Sequence, residues 1–373
     1  MTQNKKKKTN KRNVAVIVTC AVLALILILV LCVYLFIKSY VDKINTVDRE
    51  EWNNISVEDS TTETDENGNI VDNPTMPSEI NSQGAENFGD GEGVGKDYVK
   101  NYVFIGTDNR HFENILTNPG NSDSIILVSI NSKTKKIYLT SIMRDTAAYI
   151  QYTDQMKAAH SNWKDGYDKI NQANARGGSE FLLDIIEGNF KIKVDDYVLV
   201  DFYNLIDIID ILGGIPMTLT DAEAEAANNY IRDMDFDRGV ENWQTANTLS
   251  GGGDLILNGV QAVGYARERQ TAGSDFNRTS RQRAVIEQIM IKAKKMSLSQ
   301  LDDLADTILP KVYTNMSSEQ IIGMIPDAVT YLGYDIEQLR IPFDNMYQSV
   351  DGNLLPDYEA TIEKLQSIIF ATE

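Results

Sequence analysis

Tyr265-Ala266-Arg267-Glu268-Arg269, followed by Asp275, Arg278 and the pair Arg281-Gln282, gathers at least four arginines into one short window of a chain whose formal net charge is −19. Guanidinium groups hold phosphate through a planar bidentate fork and stay charged at any accessible pH. Concentrated in an acidic protein, they point to an anion site. Arg278 and Arg281 lie three apart and share a face of any helix they sit on. The same spacing also fits a solvated basic helix start paired with neighbouring carboxylates. Four further polar clusters interrupt apolar sequence: Gly106-Thr107-Asp108-Asn109-Arg110, Ser122-Asp123-Ser124, Arg144-Asp145-Thr146 and Lys169-Ile170-Asn171. Asp108 and Asp123 are hard oxygen donors suited to Mg2+, an ion that usually takes one or two carboxylates together with substrate phosphates. Arginines beside such carboxylates are the equipment of phosphoryl transfer, where positioning and charge stabilisation do most of the catalysis.

Taken singly, each cluster also reads as turn chemistry, with Asp145-Thr146 as a helix N-cap and Asn171 as a loop bond. Other chemistries have less to work with. Both cysteines, Cys20 and Cys32, lie in an apolar N-terminal stretch, so the rest of the chain has no thiolate nucleophile and no cysteine-ligated metal. The histidines are His111, which borders Arg110, and His160, in a polar loop stretch. Gly251-Gly252-Gly253 follows no expected strand, lacks the Lys-Ser/Thr ending of a phosphate loop, and reads as a flexible loop. The acidic balance argues against a nucleic-acid partner.

The elements that must position these clusters are legible from period and turn chemistry. Strands are expected at Tyr102–Gly106, at the β-branched run Ser124–Ile130, and at its hairpin partner Lys136–Ile142 across the turn Asn131-Ser132-Lys133-Thr134. Two runs apolar on both faces imply a central sheet covered by helices. Helical periodicity predicts Ser179–Phe190, Phe202–Leu212 with Gly213-Gly214 as its C-cap, Arg278–Lys295, Ser299–Leu309, Ser318–Tyr331 and Asp357–Phe370. Ile336–Pro342 reads as one more strand. The expected fold is a three-layer α/β/α sandwich with a central mixed sheet. Its strand ends would bring the five clusters to one edge, where α/β ligands bind.

Upstream, residues 1–13 form a basic tail with Lys5-Lys6-Lys7-Lys8, and no acid precedes residue 42. Residues 14–37 are uncharged and mostly apolar, 24 residues against the roughly 20 that span a bilayer as a helix. The basic flank predicts a cytoplasmic N-terminus, a single-pass anchor in the cell membrane and everything beyond Lys38 outside. The bulky exit Tyr34-Leu35-Phe36-Ile37 does not suit signal-peptide cleavage. Residues 38–97 are rich in Glu, Asp, Asn, Ser, Thr and Gly and are expected to be an acidic flexible linker, leaving 98–373 as the outer domain.

In order, these motifs resemble the LytR-CpsA-Psr family of Gram-positive cell-wall assembly. Val103–Arg110, Ser122–Asn131, Ser141–Thr146 and Lys169–Asn171 carry the likeness. So do Val200-Asp201-Phe202 leading to Leu212-Gly213-Gly214-Ile215, Leu257-Asn258-Gly259, and the arginine window. Met143 departs from the family's usual proline before the Arg-Asp pair. The resemblance implies a phosphotransferase: a polyprenyl-pyrophosphate-linked glycopolymer, such as a teichoic acid or capsule, is moved onto a peptidoglycan hydroxyl as a phosphodiester. It implies Mg2+, with Mn2+ as a substitute, on Asp108 and Asp123. Arg110, Arg144, Asn171, Arg267, Arg269, Arg278, Arg281 and Gln282 would surround the pyrophosphate. Asp123, with Asp145 or Asp275 behind it, would serve as base, and Arg144 and Arg267 would act in the chemical step. The apolar helices Phe181–Phe190 and Phe202–Leu212 would wall a prenyl groove. A non-catalytic lipid-pyrophosphate binder and a pyrophosphate hydrolase are the competing readings, and Arg267→Ala or Arg278→Ala is expected to abolish binding with little loss of fold.

Overall fold

The computed structural model describes residues 34–47, 49, 84, 88, 93–107, 119–160, 162–268, 274–293, 295–307, 309–331, 333–350 and 352–373. In chain order the strands are β1 (Asn45–Thr46), β2 (Val99–Thr107), β3 (Ser122–Asn131), β4 (Lys136–Ile142), β5 (Ala147–Ile150), β6 (Gly166–Lys169), β7 (Asp196–Asp201), β8 (Ile215–Leu219), β9 (Gly253–Leu257), β10 (Tyr313–Thr314), β11 (Asp335–Ile341), β12 (Tyr347–Val350) and β13 (Asn353–Pro356). The helices are α1 (Asp154–Ala159), α2 (Asn171–Phe190), α3 (Phe202–Ile211), α4 (Asp221–Asp237), α5 (Gly259–Arg267), α6 (Ser274–Ala293), α7 (Leu298–Thr307), α8 (Ser318–Tyr331) and α9 (Tyr358–Ile369).

A seven-stranded mixed sheet, ordered β1-β10-β7-β2-β3-β4-β11, forms the middle layer. The pleat sends alternate residues to opposite faces. Val103, Ile105, Ile125 and Leu127 pack with Leu182, Ile185 and Ile186 of α2 and with Leu365 and Ile369 of α9. On the other face Ile126, Val128 and Leu139 meet Ile286 and Met290 of α6. Outside them, α3, α4 and α5 share a second core that includes Ile206, Ile209, Ile231 and Val263. This is the expected three-layer α/β/α sandwich. Its central hairpin β3–β4 and the final β11 stand where the apolar runs placed them.

Of the elements that differ from expectation, three have identifiable reasons. The helical stretch α2 begins at Asn171, upstream of the expected start at Ser179, and is broken at Gly178, whose φ 74° and ψ −171° are not helical, so the expected segment Ser179–Phe190 follows the break. Helix α4 was missed because its acidic, alanine-rich sequence shows no strong apolar stripe. Its start nonetheless carries a capping box, Thr220 with Glu223. Gly253 opens β9 instead of lying in a loop. At the end of α3, Gly213 and Gly214 take φ 72° and 78°, the left-handed C-terminal pair that the sequence indicated.

The free linker expected over 38–97 does not hold where that stretch is described. Residues 34–41 are helical, and Asn45 and Thr46 then pair in parallel with Tyr313 and Thr314 at the edge of the main sheet. Val41 and Val47 are buried, Tyr40 Oη donates to Asp302 at 2.7 Å, and Arg49 Nε reaches the buried Glu180 at 3.0 Å. Further on, Phe88 joins the core beside Tyr149. Composition hides these contacts, because a two-residue edge strand is held by backbone pairing and needs little apolar sequence. A chain beginning at residue 96 is therefore expected to lose about 3 kcal/mol of stability through the two exposed valine sites alone. Urea titration against a chain beginning at residue 34 checks this, and equal midpoints would return the segment to a passive linker.

Residues 14–33 of the expected membrane span lie outside the described residues. No helix among the described residues is long and apolar enough to cross a membrane.

Candidate functional site

Strand register brings the ends of five strands to one edge. Thr107 pairs with Ser122 and with Asp201, Ile125 with Ile142, and Ile142 with Ile341. The termini of β2, β4, β7 and β11 and the start of β3 thus share a rim, and the polar clusters follow or precede them.

At this rim a chain of charges runs through Arg144. Its Nη1 donates to Asp123 Oδ1 at 3.0 Å, its Nε lies 3.5 Å from Asp145 Oδ2, and Lys169 Nζ lies 2.8 Å from Asp145 Oδ1. The Asp123, Arg144 and Asp145 side chains are partly buried, which strengthens each contact relative to a surface pair. The turn that carries them is fixed by backbone. Thr146 N–H donates to Met143 carbonyl at 2.9 Å, and Met143 N–H donates to Ile341 carbonyl at 2.9 Å. Met143 is itself buried, so the residue that replaces the family's usual proline fills a packed position and donates a backbone bond that proline cannot. Asp145 and Thr146 lead into β5 and do not cap a helix, because the chain continues as a strand after this turn.

Asn171 is the first residue of α2, not a loop residue. It is buried, and its Oδ1 has no hydrogen-bond partner among the described residues. Thr107 Oγ1, at the end of β2, is likewise buried without one. A buried polar atom left so costs free energy unless something else satisfies it. Two neutral oxygens therefore stand at the same rim as Asp123.

The arginine window divides. Arg267 ends α5 and is partly exposed. Arg281 is 4% exposed, and its Nη2 donates to Glu268 carbonyl at 2.5 Å and lies 2.6 Å from Glu268 Oε2, with Glu223 at 3.7 Å from Nη1. Glu268 is wholly buried, so this pair ties the end of α5 to α6. Arg281, expected to face the anion, thus commits Nη2 to Glu268, a pairing that charge counting alone does not reveal. Gln282 is buried on the same helix. Arg278 is 2% exposed, so its removal is expected to cost stability as well. Arg278→Ala is expected to cost about 3 kcal/mol, because a buried guanidinium carries both packing and charge partners. A urea midpoint equal to wild type would contradict this.

Helix α6 approaches the rim with its N-terminal turns. Arg283 Nε donates to Gln338 Oε1 at 3.1 Å, and burial, with the nearby Arg340 as a lesser cause, lowers Arg283 to about 10. Arg340 immediately precedes the end of β11. Asp108, Arg110, His111 and Arg269 lie outside the described residues, as does the side chain of Asp275. His160 stacks on Trp163 at 4.0 Å, away from this rim's charge chain.

Beneath the rim an apolar cavity of about 260 Å³ runs between the sheet and two helices. Phe104, Ile126, Val128, Val198 and Val200 form its floor, Leu205 and Ile208 of α3 one wall, and Ile286, Ile289 and Met290 of α6 the other. Ser124 and Asp201 also line it, and both stand at strand ends of the rim. Phe104, in the middle of the sheet, is 39% exposed and lines this cavity. Of the two helices expected to wall a prenyl groove, α3 lines this cavity through Leu205 and Ile208. The other expected wall, Phe181–Phe190, does not, because its side chains pack on the opposite face of the sheet. Helix α6 takes its place, and the signal for it was the spacing of Ile286, Ile289 and Met290 on a polar helix.

Comparison with known proteins agrees with this architecture. The family model described as LytR_cpsA_psr family matches residues 56–368, and the chain belongs to that family. Biofilm regulatory protein A of Streptococcus mutans is 31% identical over 235 residues, covering 61% of this chain and 53% of that protein. The polyisoprenyl-teichoic acid–peptidoglycan teichoic acid transferase TagV of Bacillus subtilis is 26% identical over 253 residues, covering 67% of this chain and 59% of that protein. The chain thus spans only somewhat more than half the length of these relatives. The solved structure of the LytR-CPS2A-psr family protein YwtF (TagT) with bound octaprenyl pyrophosphate lipid aligns with a TM-score of 0.50 at 21% identity, over 74% of this chain and 92% of that one, and shares the fold.

Proposed function

We propose that this protein is a membrane-anchored phosphotransferase that moves a glycopolymer from a polyprenyl pyrophosphate onto a peptidoglycan hydroxyl. The observation that carries the reading is an apolar cavity that ends at a charged rim. A prenyl chain fits the cavity chemically, and its pyrophosphate would then lie among Arg144, Lys169, Arg267 and the N-terminal turns of α6. The names of the transferase relatives support the same reaction. The apolar residues 14–37 would keep the enzyme beside a lipid substrate, with the domain outside the cell membrane.

The chain's own residues have distinct tasks in this reading. Arg144 is held from two sides by Asp123 and Asp145, so its fork is oriented before substrate arrives. Lys169 holds Asp145 in turn. The acceptor hydroxyl attacks the phosphorus next to the sugar and gives its proton to a carboxylate, with Asp123 the first candidate and Asp145 the second. A phosphodiester forms, the bridging P–O bond breaks, and polyprenyl phosphate leaves with the bond's electron pair. Arginines take up charge as it develops on that leaving group. Asp123 with Asp108 would hold Mg2+, or Mn2+ in its place. The unsatisfied oxygens of Thr107 and Asn171 suit a hard cation's donor set. When bound, the ion supplies neutralisation of phosphate charge.

The test is the full chain in detergent with a lipid-pyrophosphate saccharide, Mg2+ and peptidoglycan fragments. The expected product is saccharide joined to peptidoglycan through a phosphodiester. Release of free saccharide phosphate without transfer would make the protein a hydrolase. Donor binding without turnover would make it a binding module.

A further inference from the structure

We infer that Phe236 and Trp243 form a binding platform for the sugar of the lipid-linked donor, an inference that rests on the function proposed above. Phe236, in the last turn of α4, has 62% of its surface exposed, and its ring meets Trp243 edge to face at 5.3 Å between centroids and 72° between planes. Trp243 sits in Asn242-Trp243-Gln244-Thr245-Ala246-Asn247-Thr248, a run of amides and hydroxyls without charge. That combination suits a pyranose: its C–H face lies on an aromatic ring, and its hydroxyls exchange hydrogen bonds with neutral amides. Asn242 and Gln244 are exposed beside the ring.

The loop is built to hold still. Asn247 Nδ2 donates to both Asp235 oxygens at 3.0 Å, and Asn247 Oδ1 accepts from Asn258 Nδ2 at 3.1 Å. Asn228 Oδ1 accepts from Leu249 N–H at 2.7 Å and its Nδ2 returns a bond to Leu249 carbonyl at 3.0 Å. Arg232 Nε donates to Gln244 carbonyl at 3.2 Å. A pre-ordered platform loses little freedom on binding.

Its position fits a sugar just beyond the pyrophosphate. Asp237, the residue after Phe236, accepts from Tyr203 Oη at 3.0 Å, and Tyr203 N–H donates to Asp201, which lines the cavity at the rim. A prenyl chain in the cavity would bring its pyrophosphate to that rim and its first sugars past it. The acids Asp233, Asp237 and Glu241 near the pair disfavour an anionic bilayer surface as occupant and leave a neutral saccharide as the better match.

The test compares farnesyl pyrophosphate with farnesyl-pyrophosphoryl-N-acetylglucosamine, titrated calorimetrically into the full chain in detergent. The sugar-bearing ligand is expected to bind wild type more tightly. Trp243→Ala and Phe236→Ala should each erase that advantage, about tenfold, while the affinity for the sugar-free ligand stays unchanged. Trp243→Phe should keep part of it. The inference is overturned if the sugar adds no affinity in wild type, if the advantage survives both alanine variants, or if the variants weaken only binding of a soluble peptidoglycan fragment. Failure of wild type to bind either ligand would overturn the proposed function together with this inference.

Discussion

Arg144→Ala is expected to lower transfer by about a thousandfold or more, since the group acts where charge develops on the transferred phosphate. The geometry explains why the loss should be large. Arg144 contacts Asp123 at 3.0 Å and Asp145 at 3.5 Å, so one guanidinium spaces two partly buried carboxylates. Without it the two acids face one another across an emptied position, and Asp145 keeps Lys169 at 2.8 Å while Asp123 loses its bond to Arg144. Arg144→Lys should recover little, because an ammonium is a point charge and does not span both acids as the planar fork does. The thermal midpoint should fall only modestly, as the side chains keep some access to solvent. Single-turnover transfer rates measured beside thermal midpoints separate the two effects. An Arg144→Ala enzyme with a tenth of wild-type turnover would remove this residue from the chemical step.

Much of this site was readable from sequence because its parts sit where sequence patterns are strongest. The runs Ser124–Ile130 and Lys136–Ile142 are apolar on both faces, and only a covered central strand explains that. Once those strands exist, Asp123 and Arg144 must fall at one edge, whatever the loops do. The groove was harder. Phe181–Phe190 is the more apolar segment and therefore belongs in the closed core, while the wall of the cavity belongs to a helix with a narrower stripe, as in Ile286, Ile289 and Met290. The pairing of Arg281 with Glu268 was hidden because sequence shows charge but not burial, and Glu268 is wholly buried. The docking of Val41 and Val47 escaped for the opposite reason: their neighbours are polar enough to read as solvated chain.

Asp123→Asn should lower turnover far more than donor affinity, because the change removes a base and a hard ligand while the arginines proposed to face the pyrophosphate stay in place. A general base alone accounts for roughly a hundred- to ten-thousandfold. Asp123 accepts from Arg144 at 3.0 Å, which fixes its carboxylate at the rim where it could take a proton or hold a cation. The two duties can be told apart. If Asp123 chiefly holds metal, raising Mg2+ or Mn2+ should partly restore Asp123→Asn, and chelation should silence wild type to the same depth. If it chiefly takes the proton, added metal should not help. In that case Asp145→Asn, which leaves Arg144 its bond to Asp123, should retain more activity than Asp123→Asn. Full transfer in the presence of chelator, or an Asp108→Ala/Asp123→Ala double variant that still transfers, would take the metal out of the reaction. The base assignment would then rest on whichever single carboxylate variant alone loses turnover.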